Sequence, residues 1–287
     1  MLIDLQVHST YSDGYLTPSQ LADFLSDNNI KIAALTDHHT IGGLEEFKQA
    51  CKKHNIKTLS GLELYVKLGH KKFSLLWYNF NPSDPALHNL LRTSQMRRRR
   101  QIRNALIKLK RRGFQINEDQ LLDKYNHYIP LNHLIDRVSK ISANKKIIIK
   151  KLKIPNPSQE EMLIKIFKNR AFTKISESYI GLKQILKLRK NIRGQLIFNH
   201  PGKYNHLDRK FILSLKQLGL DGLEVVSPHH SVGAIMYTQR LAREYGLIMT
   251  GGSDFHRFEP APADLTNCYN YFKIDSNRLT GIKKIIG

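Results

Sequence analysis

The chain opens with MLIDLQVHSTYSDG, residues 1–14, and this stretch decides the fold. From Leu2 to His8 the residue types alternate, with Leu5 and Val7 on one face and Asp4, Gln6 and His8 on the other, the two-residue period of a strand. The strand ends on metal-binding side chains, His8 and Asp13. The same arrangement of an apolar run followed by carboxylate or imidazole recurs at Asp37 and His38, at Glu63, at His200, and at Asp254 and His256. Ligands delivered singly from the ends of distant strands predict a rigid, open, multinuclear centre at the mouth of a barrel, rather than a finger. Mixed hard oxygens and imidazole nitrogens suit Mn, Fe or Zn, and such centres usually hydrolyse.

Further strands are expected over 30–36, 58–63, 71–80, 195–199, 222–227 and 247–252. A helix starts at Thr17 (N-cap) and Pro18 (first turn), and another follows Gly42 and Gly43. Between 84 and 193 the 3.6-residue period takes over, with Leu90, Leu91, Ile102, Leu106 and Leu109 as an apolar stripe. Asn156 to Gln159 starts a later helix there, and 178–188 reads as another. The expectation is an α/β barrel over 1–91 and 194–287, interrupted by a basic helical insertion over 92–193.

The 287 residues carry a formal charge of +22, unevenly placed. Residues 92–193 hold 27 Lys and Arg against 7 Asp and Glu, so the rest of the chain is nearly neutral. A charge excess confined to one segment points to a polyanion such as RNA or DNA, the bland alternative being a solvated lysine surface. Cys51 and Cys268 lack a CxxC spacing and read as ordinary thiols; His54, His88 and His206 read as surface residues. The N-terminus resembles neither a signal peptide nor a membrane span, which predicts a cytoplasmic protein with no membrane partner.

Taken in order, Asp4-Leu5-Gln6-Val7-His8-Ser9 with Ser12-Asp13-Gly14, Thr36-Asp37-His38, Gly61-Leu62-Glu63, His200-Pro201 and Gly252-Ser253-Asp254-Phe255-His256 resemble the motifs of the polymerase-and-histidinol-phosphatase (PHP) family of metal-dependent phosphoesterases. The resemblance implies a distorted (β/α)7 PHP barrel and two divalent ions, up to three, with Mn favoured over Fe, Zn or Mg. It implies one ion on Gln6, His8, Glu63 and Asp254, a second on Asp13, His38 and His256, and a third on His200, a bridging Glu63 and a histidine just after Glu63. Two departures stand out. Gln6 replaces a histidine, and Ser74 stands in the strand that should carry that later histidine.

Within the family, the helical insertion and Gly222-Leu223-Glu224-Val225-Val226-Ser227-Pro228-His229-His230 most resemble the branch that acts on nucleoside 3′,5′-bisphosphates or trims RNA from its 5′ end. That branch carries an Arg-Pro-His in the insertion, of which Ile129 to His133 keeps the histidine. The implied chemistry is attack on phosphorus by a metal-activated hydroxide, with Glu63, His38 and His256 as catalytic residues. Lys203, His230, Arg257, His133, Arg99 and Arg100 are the candidates for gripping substrate. The alternatives are a degenerate nucleic-acid-binding protein and, less compatible with the charge, a phosphatase of small metabolites. Asp4 and Asp37 read as supports, Asp4 for a ligating histidine.

Overall fold

The computed structural model describes residues 1–204, 208–258 and 268–287; His206 and the side chain of Cys268 lie outside what is described. The chain divides into two compact units, Met1–Asn89 with Tyr179–Gly287, and Leu90–Ser178.

The first unit is built on one sheet: β1 (Leu2–Val7), β2 (Ile32–Leu35), β3 (Lys57–Leu68), β4 (Lys71–Tyr78), β5 (Ile180–Gly181), β6 (Gln195–Phe198), β7 (Gly222–Val226), β8 (Ile248–Gly251) and β9 (Ile274–Asp275). The strand order is β8-β7-β6-β4-β3-β2-β1-β9, with β5 beside β3. Pairing is parallel through β1, β2 and β3 and again through β6, β7 and β8. β4 runs antiparallel to both β3 and β6, because it returns from β3 through a tight turn at Gly69, φ +59°. The chain after β8 comes back to β1, where His8 N–H donates to the Phe255 carbonyl at 3.0 Å. The sheet is thereby nearly closed, and the mixed α/β barrel expected from the sequence is present. Its distortion is the antiparallel β4.

The alternation in β1 separates two buried faces rather than a core and a solvent face. Val7 packs with Leu21, Leu25, Leu35 and Phe47 from strand and helix layers, whereas Asp4 and Gln6, equally buried, hydrogen-bond to Ser253, Glu63 and Asp254. Helix α1 (Pro18–Asp27) has the expected Thr17 cap, and Gln20 closes the capping box. α2 (Leu44–Lys53) carries Glu45 and Glu46 in its first turn and Lys52 and Lys53 in its last, each matching the helix dipole.

The long α3 (Pro85–Lys110) runs from the first unit into the second. There α4 (Glu118–Leu122), α5 (Leu131–Ser139), α6 (Ser142–Leu152) and α7 (Gln159–Met162), continued by one π-helical turn over Leu163–Phe167, enclose a core of their own. Ile102, Leu106 and Leu109 of the expected stripe meet Leu134, Ile135 and Ile166 in it. Ser158 caps α7 in a box with Glu161. The remaining helices, α8 (Leu182–Ile192), α9 (Arg209–Gln217), α10 (Val232–Glu244) and α11 (Lys283–Ile286), belong to the first unit. α8 was expected in the insertion. It falls with the barrel, where its apolar residues Leu182, Ile185, Leu188 and Ile192 are buried and Arg189 reaches Asp221 at 2.7 Å and donates to the Gly194 carbonyl. Among the described residues no helix is long and apolar enough to cross a membrane.

Candidate metal centre

The expected ligands of the first unit converge at the C-terminal ends of its strands. His8 follows β1, His38 lies beyond β2, Glu63 sits within β3, and His200, Asp254 and His256 follow β6 and β8. One group is His8, Asp13, His38 and His256, whose ligand atoms lie within 4.8 Å of one another. Asp13 is its hub: Oδ1 is 3.3 Å from His256 Nε2 and 3.5 Å from His8 Nδ1, and Oδ2 is 3.4 Å from His38 Nε2. A second group is His8, Glu63 and Asp254. His8 Nε2 is 3.1 Å from Asp254 Oδ1 and 3.4 Å from Glu63 Oε2. The other Glu63 oxygen, Oε1, faces His200 Nε2 at 3.6 Å and His38 Nδ1 at 3.9 Å, so Glu63 lies between two sets of imidazoles.

The surrounding residues hold these groups in place. Asp37 accepts from Ser9 N–H at 2.8 Å and from the Ser9 and Ser12 hydroxyls, folding the loop that delivers His8 and Asp13. Gly14 is required in that loop, since a Cβ would lie 2.1 Å from the His8 carbonyl oxygen. Asp4 supports the site differently from the expectation. It touches no ligating histidine, but accepts from the Ser253 N–H and hydroxyl and from Tyr269 OH, anchoring the segment that carries Asp254. Burial raises its pKa to about 6. Asp254 and His200 both take positive φ, +50° and +27°, conformations that non-glycine residues adopt at a cost and that cluster at functional sites.

The charge states suit a cation. Burial opposes ionisation of Asp13, Glu63 and Asp254, yet the neighbouring histidines win and hold all three well below their usual range. Burial lowers the pKa of His200, favouring the neutral form that ligates. His8, against the cost of burial, is pushed up by Asp254 and Glu63. A proton on His8 thus fills a role that a divalent ion would take over. Glu63 Oε1 and both ring nitrogens of His8 are buried without a hydrogen bond. Donor set, burial and unsatisfied atoms together fit bound divalent ions.

Several side chains are placed differently from the sequence reading. Gln6 donates its amide nitrogen to Glu63 Oε2 at 3.1 Å and to Asp254 Oδ1 at 2.9 Å, while its amide oxygen, the atom that could ligate, is buried without a hydrogen-bond partner. His230 spends both ring nitrogens on backbone, donating to the Val225 carbonyl and accepting from Gly202 N–H, each at 3.0 Å; it pins the turn after His200. Lys203 is exposed beside His229, and Arg257 stacks on Tyr15. His133, Arg99 and Arg100 lie in the helical unit. Of the arginine run, Arg97 and Arg100 are exposed. Arg98 is buried against Glu177 at 2.6 Å, and Arg99 donates to the Leu122 and Tyr125 carbonyls and to Asp123. His39 accepts from Tyr65 N–H at 2.9 Å through Nε2.

Two residues escaped the sequence reading. Tyr65 stacks on His38 and brings its hydroxyl to 3.2 Å from His38 Nε2; its position two residues after Glu63 was the available signal. His229 reaches Asp254 Oδ2 at 2.8 Å. It stood beside His230 just past the end of β7, as His8 stands past β1 and His200 past β6.

The PHP domain pattern matches residues 4–196. Among curated relatives, the chain is 26% identical to a 3′,5′-nucleoside bisphosphate phosphatase of Chromobacterium violaceum, over 88% of this chain and 87% of that protein. It is 25% identical to a phosphoribosyl 1,2-cyclic phosphate 1,2-diphosphodiesterase of Eggerthella lenta (89% and 94%) and 26% identical to a 5′-3′ exoribonuclease of Haemophilus influenzae (88% and 89%). In structure it resembles a protein of Bifidobacterium adolescentis described as a metal-dependent phosphoesterase, with a TM-score of 0.73 at 20% identity, covering 96% of this chain and 97% of that one.

Proposed function

The chain belongs to the PHP domain family, and from that premise we propose that it hydrolyses phosphate esters in nucleotides or nucleic-acid ends, as a 3′,5′-bisphosphate phosphatase or a 5′-3′ exonuclease. It is a metal-dependent phosphoesterase, a hydrolase. The observation that carries the finer reading is the union in one chain of this hydrolytic centre with a segment, 92–193, holding 27 cationic against 7 anionic side chains. A small phosphate needs no such field, whereas a polyanion is drawn by it. The names of the Chromobacterium and Haemophilus relatives support the same class.

The ions would be held by His8, Glu63 and Asp254 on one side and by Asp13, His38 and His256 on the other, with His200 on the far oxygen of Glu63. When bound, they neutralise phosphate oxygens and ease ionisation of water; Mn is the proposed ion, given carboxylates mixed with imidazoles. The chain supplies the rest. Glu63, buried and anionic, fixes the spacing of the two sets. His38, backed by Tyr65, and His256 act as ligands that are neutral when an ion is held, so water would supply the proton to the leaving oxygen. Lys203 and Arg257 are the proposed phosphate grips.

The test is Mn-dependent phosphate release from a nucleoside 3′,5′-bisphosphate and, in parallel, shortening of 5′-phosphorylated RNA. Release from the bisphosphate alone makes the enzyme a phosphatase, and RNA shortening makes it an exonuclease. Activity on neither, with RNA still bound, overturns the reading.

A further inference from the structure

Ser74 occupies the strand position where the family pattern calls for a ligating histidine, and the fold shows that it has left that role. It is fully buried on β4, its carbonyl accepts from Asn199 N–H at 3.1 Å, and its hydroxyl accepts from Tyr204 OH at 3.1 Å. A neutral hydroxyl already bonded to a phenol is a poor ligand for a divalent ion. His200, next to Asn199, keeps a buried Nδ1 without a hydrogen bond.

We propose that His229 is a metal ligand in this chain, holding a divalent cation together with His200 and Asp254 and thereby replacing the histidine lost at Ser74. The proposal rests on the metal-dependent reading of the site. Ligand atoms of the three residues lie within 4.8 Å of one another. Donors sharing one ion are at most about twice a ~2.1 Å bond apart, so only a small contraction is required. Asp254 is arranged as a bridge: Oδ1 faces His8 and the Gln6 amide, while Oδ2 faces His229 at 2.8 Å. The positive φ of Asp254, secured by Asp4 on Ser253, builds that division into the backbone. The His229 ring stands nearly perpendicular to that of His200, 5.0 Å between centroids, and Glu63 Oε1, 3.6 Å from His200 Nε2, offers a further oxygen. Lys203 Nζ lies 3.4 Å from His229 Nε2; it is exposed on a flexible stem and swings clear when the ring takes a cation.

The ligand therefore comes from the end of β7 instead of from β4. It is also half-exposed, where the histidine it replaces would be buried, which makes this ion the most readily exchanged.

The test strips the full chain with chelator and titrates it with Zn, counting equivalents by calorimetry and following the ring nitrogens of His229 by 15N NMR. His229→Asn is compared with Asp13→Asn and with the surface control His54→Asn. The wild type is expected to take up one equivalent that His229→Asn loses or binds more than about 100-fold more weakly, beyond what losing a supporting partner costs. The His229 ring nitrogen should shift with that equivalent. A variant titrating within about threefold of wild type overturns the assignment. So does a tenfold weakening with no ring-nitrogen shift, which would make His229 a support for Asp254. If Asp13→Asn is also silent, the metal reading itself fails.

Discussion

The two sides of the metal centre differ in how they are built. Around Asp13, every ligand is the residue the family pattern calls for at its position: His8, His38 and His256 surround one carboxylate at 3.3–3.5 Å, and Asp37 and the two serines bonded to it hold the loop. Around His200 the pattern is rewritten. Ser74 has turned to Tyr204, Gln6 has put an amide between Glu63 and Asp254, and His229 has come in from β7. A site can therefore keep its chemistry while redistributing which strand supplies a ligand, provided the carboxylates that link the two sides stay fixed. Glu63 and Asp254 are those links.

The largest effect should come from the intact side. Asp13→Asn removes the shared carboxylate, and phosphate release should fall on the order of 10³-fold, the several kcal/mol that a charge-stabilising ion provides. A fall no larger than that of His229→Asn would erase the proposed distinction between the two sides. Next in size is a change within the helical unit. Arg98→Leu leaves Glu177 without its buried partner and should cost about 3–5 kcal/mol, less whatever Tyr128, also hydrogen-bonded to Glu177, recovers. Thermal unfolding should reveal the loss, with metal content unchanged.

On the rewritten side, Gln6→His should strengthen binding of the ion between Glu63 and Asp254 by about tenfold, because an imidazole ligand replaces an amide that competes for the same oxygens. Weaker binding would mean that Gln6 serves the site through its oxygen. The smallest effect concerns charge. Arg97→Glu with Arg100→Glu should weaken RNA binding severalfold and flatten its salt dependence, by about one unit of slope for each phosphate that is no longer neutralised. No change in slope would move the footprint elsewhere in the helical unit.

Where sequence was legible, a local rule governed. Strand alternation, the Thr17 cap and the ligand at each strand end depend on neighbours along the chain. The conversion of β4 to an antiparallel strand needed the Gly69 turn to be recognised. Placement of α8 turned on where its apolar face is buried, with Arg189 paired to Asp221, thirty-two residues away. Of four consecutive arginines, Arg99 and Arg100 read as substrate grips; a helix gives the four different faces, so Arg98 went inward, Arg99 donates to the Leu122 and Tyr125 carbonyls and Asp123, and Arg97 and Arg100 point outward. His230 looked available to grip substrate because its partners are backbone groups, which no side-chain pattern announces. His229 was invisible as a ligand because its partner, Asp254, lies on another strand's exit.

The most direct test of the account is the metal content of protein purified without chelator, measured together with Mn-dependent phosphate release from a nucleoside 3′,5′-bisphosphate, for wild type and Asp13→Asn. The account predicts two or more equivalents with release in the wild type, and in the variant one equivalent fewer with release lost. At most one equivalent and no release from the wild type, or an Asp13→Asn protein that keeps its metal and its activity, would contradict it.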